Sequence, residues 1–255
     1  MSPLTKAPYR SSATRPWYSF VGWCEGKELA RIITLEHGKL LREANVEVVY
    51  AAGFFSFYSQ QLGQLRHHTL PAEIRGTSWE AHYRPAGVVG SITPWNCPQA
   101  MMAKKLAPAI ATGCGVVAKP ASLTPLGAIA FVEIAREAGV LAGMLNLVMG
   151  SAGPISETLC RHPAVRLISS TGSTEAGKLL AASTAPHVKR LALELGGNAP
   201  FIVFEDADLD SAADALMANK FRGGGQTCVC TNRVYAHAEI STSVRALLPR
   251  RLTAA

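Results

Sequence analysis

At 255 residues, with 48% of them apolar and 17% charged, the chain has material for a substantial core and is excluded from the disordered class. Its formal net charge of +7 does not make it a nucleic-acid binder, because that class carries its basic stripe within the fold. Here the excess sits at the ends, in Lys6, Arg10 and Arg15 and in Arg245, Arg250 and Arg251, with no acid within residues 1–20 or 241–255, so both ends read as loose basic tails.

Residues 1–23 show no period and read as a lead-in. Glu28 to Gln64 reads as helix, with Leu29, Ile32, Ile33 and Leu40 spaced for one apolar face. His67 to Pro85 is polar and extended about Gly76, as in a projecting hairpin. Regular alternation follows. Val88 to Ile92 is a short apolar strand, and Pro98 to Thr112 is a helix that Gly113 ends. Val116 to Lys119 is a strand, and the next helix, capped by Ser122 or Thr124, runs to Glu137 and stops at Gly139. Leu145 to Met149 is a strand, Ser156 to Arg161 a short helix, Val165 to Ser169 a strand and Thr174 to Ser183 a helix. Arg190 to Leu195 and Phe201 to Phe204 are strands, and Asp208 caps a helix to Phe221. Strands and helices alternating at this spacing predict an α/β fold, a doubly wound parallel sheet with helices on both faces. In such sheets ligands bind beyond the carboxyl ends of the strands. The unusual polar clusters lie there: Thr93-Pro94-Trp95-Asn96, Lys119-Pro120-Ala121-Ser122, Thr171-Gly172-Ser173-Thr174 and Glu194-Leu195-Gly196-Gly197.

No G-x-G-x-x-G is present. Gly172 to Leu179 approaches the P-loop pattern, but Leu179 stands where magnesium needs a hydroxyl, which disfavours a magnesium–triphosphate site. What remains is a Gly-Ser-Thr turn at a helix start, either a phosphate cradle or an ordinary cap. Cys228 follows Gly223-Gly224-Gly225, where a thiolate would be approachable; alternatively it is an inert thiol. Glu194, at a strand end beside two glycines, is either a general base or a paired structural acid. Asn96 either donates to an oxyanion or caps a helix. The six cysteines form neither a disulfide scaffold nor a C-x-x-C metal pattern, so no metal site is predicted and a reducing cytoplasm fits. No signal peptide or membrane-spanning run is predicted.

Taken together, the four strand-end clusters and Gly225-Gln226-Thr227-Cys228 resemble the aldehyde dehydrogenase superfamily in content, order and interval, from about residue 28 to residue 235. Leu193 through Phe204, Cys228-Val229-Cys230 and Asn232-Arg233 resemble its succinate-semialdehyde branch. The resemblance implies a Rossmann-like cofactor-binding domain over residues 1–195, with an oligomerisation hairpin at residues 67–86, and the opening of an incomplete α/β catalytic domain over residues 196–255. It implies Cys228 as nucleophile, Glu194 as the base that activates water and Asn96 as the oxyanion amide. Thr93, Trp95, Asn96, Lys119, Pro120, Ala121, Ser122, Gly172, Ser173 and Leu195 would line the cofactor site. Ser122 stands where members preferring NAD often carry Glu, and Lys119 would attract a 2′-phosphate, so NADP is expected, with NAD possible. Arg222 matches an arginine that grips the substrate's far carboxylate. Cys230 is either an inert neighbouring thiol or a redox partner that forms a reversible disulfide with Cys228, as suspected for some relatives. The implied activity is oxidation of succinic semialdehyde, or a related small aldehyde, to its acid. Neither nucleic acid nor membrane is an expected partner, and the family is homo-oligomeric.

Several positions depart from the family. Lys104 stands where the succinic branch often has a second substrate-binding arginine, and lysine lacks the bidentate fork. Gly223, Ser170 and Cys97 replace the usual Asn, Phe and Phe. Past Arg233 the resemblance fades, Ser241 to Ala255 is unlike the family's helix, and the chain is about half a family member's length. The segment that grips the nicotinamide ribose and the C-terminal oligomerisation strand are therefore expected to be missing. The alternative expectation is a truncated, non-catalytic remnant that binds cofactor weakly or only associates with other subunits.

Overall fold

The computed structural model describes residues 27–254, so the lead-in over residues 1–23 lies outside the described residues. The chain divides after Glu194 into two compact units. The first holds helices α1 (Lys27–His37) and α2 (Leu41–Gln61), hairpin strands β1 (His68–Leu70) and β2 (Trp79–Ala81), and then β3 (Val88–Ile92), α3 (Pro98–Ala111), β4 (Gly115–Lys119), α4 (Pro125–Glu137), β5 (Leu145–Leu147), α5 (Ala152–Arg161), β6 (Val165–Gly172), α6 (Thr174–Thr184) and β7 (Arg190–Leu195). The second holds β8 (Ala199–Val203), α7 (Leu209–Lys220), β9 (Thr231–Ala236) and α8 (Ser241–Ala254).

The predicted α/β fold is the observed one, with five parallel strands in the order β5-β4-β3-β6-β7. The chain builds outward from β3 through β4 to β5, then returns to lay β6 against the other side of β3. The strand order therefore reverses between β3 and β6, the kind of switch point at which open α/β sheets bind ligands. Alternation along the strands explains the two helical layers. Val89, Val116 and Ala118 pack with α1, α2, α3 and α4 around Ile33, Phe55, Met102, Leu106 and Phe131. Val88, Ile92 and Val117 face the opposite layer, with Leu159 and Cys160 of α5 and Leu180 of α6. The hairpin is antiparallel, pairing His68 with Ala81 and Leu70 with Trp79, and Gly76 sits in its turn with φ +84°.

Three sequence expectations are corrected. The single helix from Glu28 to Gln64 is broken at Gly38, which adopts φ +83° and donates its amide to the Thr34 carbonyl at 2.9 Å. Apolar spacing continues on both sides of that break, so periodicity alone hides it. Of the two candidates for the α4 cap, Thr124 holds the position and Ser122 does not, but Thr124 makes no side-chain cap bond, and the Glu36 carboxylate accepts instead from the amides of Leu126 and Gly127. Finally, residues 241–254 are a helix rather than a loose tail. Arg251 pairs with Asp210 at 2.7 Å and Asp214 at 3.0 Å, one turn apart on α7, and Val244, Leu247 and Leu248 share a small apolar cleft with Phe201, Val203 and Leu216. Strand β9, not anticipated as a strand, runs parallel to β8, pairing Phe201 with Val234 and Val203 with Ala236.

Candidate active site

Register explains why separate loops of the first unit share one level. Ile92 at the end of β3 lies beside Lys119 of β4 and Ser170 of β6, so the residues that follow all three strands emerge together at the switch point. Thr93 is buried and extends the ladder by donating its amide to the Lys119 carbonyl at 3.2 Å. Trp95 lies against the His37 ring, with centroids 5.5 Å apart. After β4, Lys119 is buried, and its ammonium donates to the Pro120 carbonyl at 2.9 Å. Burial pushes that ammonium below the ordinary lysine range. The Ser122 hydroxyl donates to the Gly150 carbonyl at 3.3 Å and ties this loop to the one after β5. After β6, the Thr171 hydroxyl is buried without a partner among the described residues. Ser173 caps α6, its Oγ accepting from the Ala176 amide at 3.1 Å. The cap half of the two readings of this turn is therefore present.

Glu194, near the end of β7, lies 3.4 Å from the Lys104 ammonium, and both side chains are partly exposed. The position expected to meet substrate thus has an acidic neighbour in this structure. Beside it is a residue that the sequence reading missed. Lys105 is only 5% exposed and its Nζ donates to the Ser169 hydroxyl at 3.3 Å. Burial, reinforced by the charge of Lys104 and opposed by that of Glu194, pushes its ammonium down to about 8. The signal was available: Lys105 falls at helical spacing between Met102 and Ala109, both buried.

In the second unit, Gly223, Gly224 and Gly225 have φ of +58°, +69° and +77°. Three successive left-handed residues strain any side chain, which explains the glycine run. The turn delivers Cys228 exposed and Cys230 buried, both as thiols. The Cys230 thiol donates to the Gly225 carbonyl at 3.2 Å and lies 3.9 Å from the Lys220 ammonium, which also donates to Asn232 Oδ1 at 2.8 Å. Asn219 Oδ1 accepts from the amide and hydroxyl of Thr231 at 2.7 and 2.8 Å, and Arg233 donates to the Asn198 carbonyl. These polar ties hold the segment after Cys228 and were not singled out from the sequence as supports. Arg222 is exposed at the start of the glycine turn.

The aldehyde dehydrogenase family model matches residues 10–255, past both limits of the resemblance read from motifs. The chain is 50% identical over 225 residues to the mitochondrial succinate-semialdehyde dehydrogenase of Arabidopsis thaliana, covering 88% of this chain and 42% of that protein. It is 46% identical over 229 residues to the NADP(+) succinate-semialdehyde dehydrogenase of Escherichia coli, covering 90% and 47%. An oxidoreductase from Marinobacter aquaeolei superposes with a TM-score of 0.93 at 49% identity, covering 98% of this chain and 53% of that one. The chain thus spans about half the length of the relatives it matches. With the family pattern extending over nearly all of the chain and the fold shared with a solved oxidoreductase, the protein belongs to the aldehyde dehydrogenase family.

Proposed function

We propose that this chain oxidises succinic semialdehyde, or a related small aldehyde, to the carboxylic acid with NADP as hydride acceptor, NAD serving less well. The observation that carries the reading is the gathering of the Thr93–Asn96, Lys119–Ser122 and Gly172–Ser173 loops at one level of the sheet, at its switch point. A dinucleotide suits that donor set. The α6 N-terminus takes the diphosphate, the buried Thr171 hydroxyl has a bond to offer, and the ribose loop Lys119-Pro120-Ala121-Ser122 itself carries a cation and no acid, which suits a 2′-phosphate. Thr93, Trp95, Pro120, Ala121 and Leu195 complete the lining. The bound cofactor supplies the hydride acceptor.

The chain's own residues supply the rest. The Cys228 thiolate adds to the aldehyde carbon, the Asn96 amide donates to the resulting oxyanion, and Glu194 takes a proton from the water that hydrolyses the thioester. Arg222 holds the far carboxylate, with Lys104 as a second, weaker cation. The first unit is then the cofactor-binding domain, with the hairpin at residues 67–86 serving oligomerisation, and the second opens a catalytic domain. Cytoplasmic placement is part of the proposal. Among the described residues no helix is long and apolar enough to cross a membrane.

The test follows reduced nicotinamide when the purified chain meets succinic semialdehyde and NADP, with Cys228→Ala alongside. Turnover that disappears in the variant is the expected result. A flat trace from folded protein sinks the catalytic reading and leaves a chain that binds cofactor weakly or associates with other subunits.

A further inference from the structure

A buried ion pair at the foot of the first two helices has no place in the chemistry above. Lys39, just past the Gly38 break, and Glu47 of α2 are each only 6% exposed. The Lys39 ammonium donates to Glu47 at 2.5 Å and to the backbone carbonyl of Asn96 at 2.9 Å. The other Glu47 oxygen accepts from the amides of Gln99 at 2.9 Å and Ala100 at 3.2 Å, in the first turn of α3. The residue in the cap position there, Cys97, makes no side-chain cap bond. One pair therefore grips the Asn96 segment at its carbonyl and the following helix at its amides. Removing two charges from water is costly, and well-packed apolar residues often replace a buried pair at no loss of stability. Bonds directed at two successive pieces of backbone favour a role in placement.

We propose that Lys39 and Glu47 are positioning residues that set the aim of the Asn96 amide and the Trp95 ring. The functional part rests on the cofactor and oxyanion roles given above to Trp95 and Asn96. Truncating one partner strands a charge and endangers the fold, so the principal variant removes both charges, Lys39→Met with Glu47→Leu in the full chain; Glu47→Gln accompanies it. Hydrogen exchange is followed for peptides spanning residues 94–104 and 165–172, with NADPH binding by fluorescence titration and Tm by calorimetry. The expected result for the double variant is a Tm lowered by no more than a few degrees, from the lost bonds to the Gln99 and Ala100 amides, with exchange at Asn96, Gln99 and Ala100 faster by about tenfold, β6 unaffected, and NADPH Kd raised about tenfold. Exchange that stays slow at those amides overturns the proposal. So does a lowered Tm with faster exchange throughout, which marks a general role in stability. If the unaltered chain binds no NADPH, the cofactor reading fails on its own, and local exchange still decides whether the pair places this segment.

Discussion

Replacing Lys105 with methionine should make the protein more stable, by an amount that depends on pH. The Lys105 ammonium is pushed from an ordinary 10.5 down to about 8, chiefly by burial. The folded state therefore binds fewer protons than the unfolded state between those two values. By linkage, wild-type stability rises with pH across that window, and the penalty is complete below it. A shift of this size corresponds to roughly 3 kcal/mol near pH 7, falling below about 1 kcal/mol near pH 10. Methionine conserves much of the stem and removes the charge, while the Ser169 hydroxyl loses its 3.3 Å donor, which returns about 1 kcal/mol. The net expectation is a gain of about 2 kcal/mol near neutrality, which disappears as pH approaches 10. Urea denaturation followed by far-UV circular dichroism, under reducing conditions at both pH values, measures it. At a slope of about 2–3 kcal/mol per molar, the midpoint should rise by roughly 0.7–1 M near pH 7. A variant less stable than wild type at neutral pH, or a difference that does not change with pH, would refute the burial argument.

Three further substitutions test particular contacts. Gly90→Ala places a Cβ 2.8 Å from Ile168 Cδ1 and 3.4 Å from Leu159 Cδ1 in a closed core, and should cost about 1–3 kcal/mol of stability; a thermal melt indistinguishable from wild type would show that this layer yields. Glu36→Ala strips the first turn of α4 of both borrowed bonds, one of them the 2.8 Å bond from the Gly127 amide, and should cost about 1–2 kcal/mol in urea titration, with Glu36→Gln recovering part of it. Ser173→Ala removes the α6 cap for about 1 kcal/mol, whereas Ser173→Thr keeps an acceptor oxygen; equal losses in the two would rule the cap out as the cause.

The parts of the fold legible in the sequence were those whose cause is local. Each strand is a short apolar run, and the glycines that end α3 and α4, Gly113 and Gly139, adopt φ of +79° and +88° as chain-terminating glycines do. The polar strand-end clusters stood out because the segments before them are apolar, and parallel pairing then brings them level. What stayed hidden depends on distant partners. Strand β9 is exposed along most of its length, so no alternation marks it. The C-terminal helix looks like a basic tail until Asp210 and Asp214 are placed against Arg251.

The caps of α3 and α4 show the same limit most clearly. Local rules nominate Asn96 for α3 and Ser122 or Thr124 for α4, yet the side chains that satisfy these amides are Glu47, 52 and 53 residues before its two partners, and Glu36, 90 and 91 residues before its own. A helix start whose bonding is supplied from so far away is specified only after α1 and α2 have docked. Those two helices carry no candidate chemical residue, but their carboxylates hold the first turns of the helices that follow β3 and β4. They therefore help set the geometry of the two strand-end loops that lead into those helices, and a sequence reading confined to the loops misses half of what orients them.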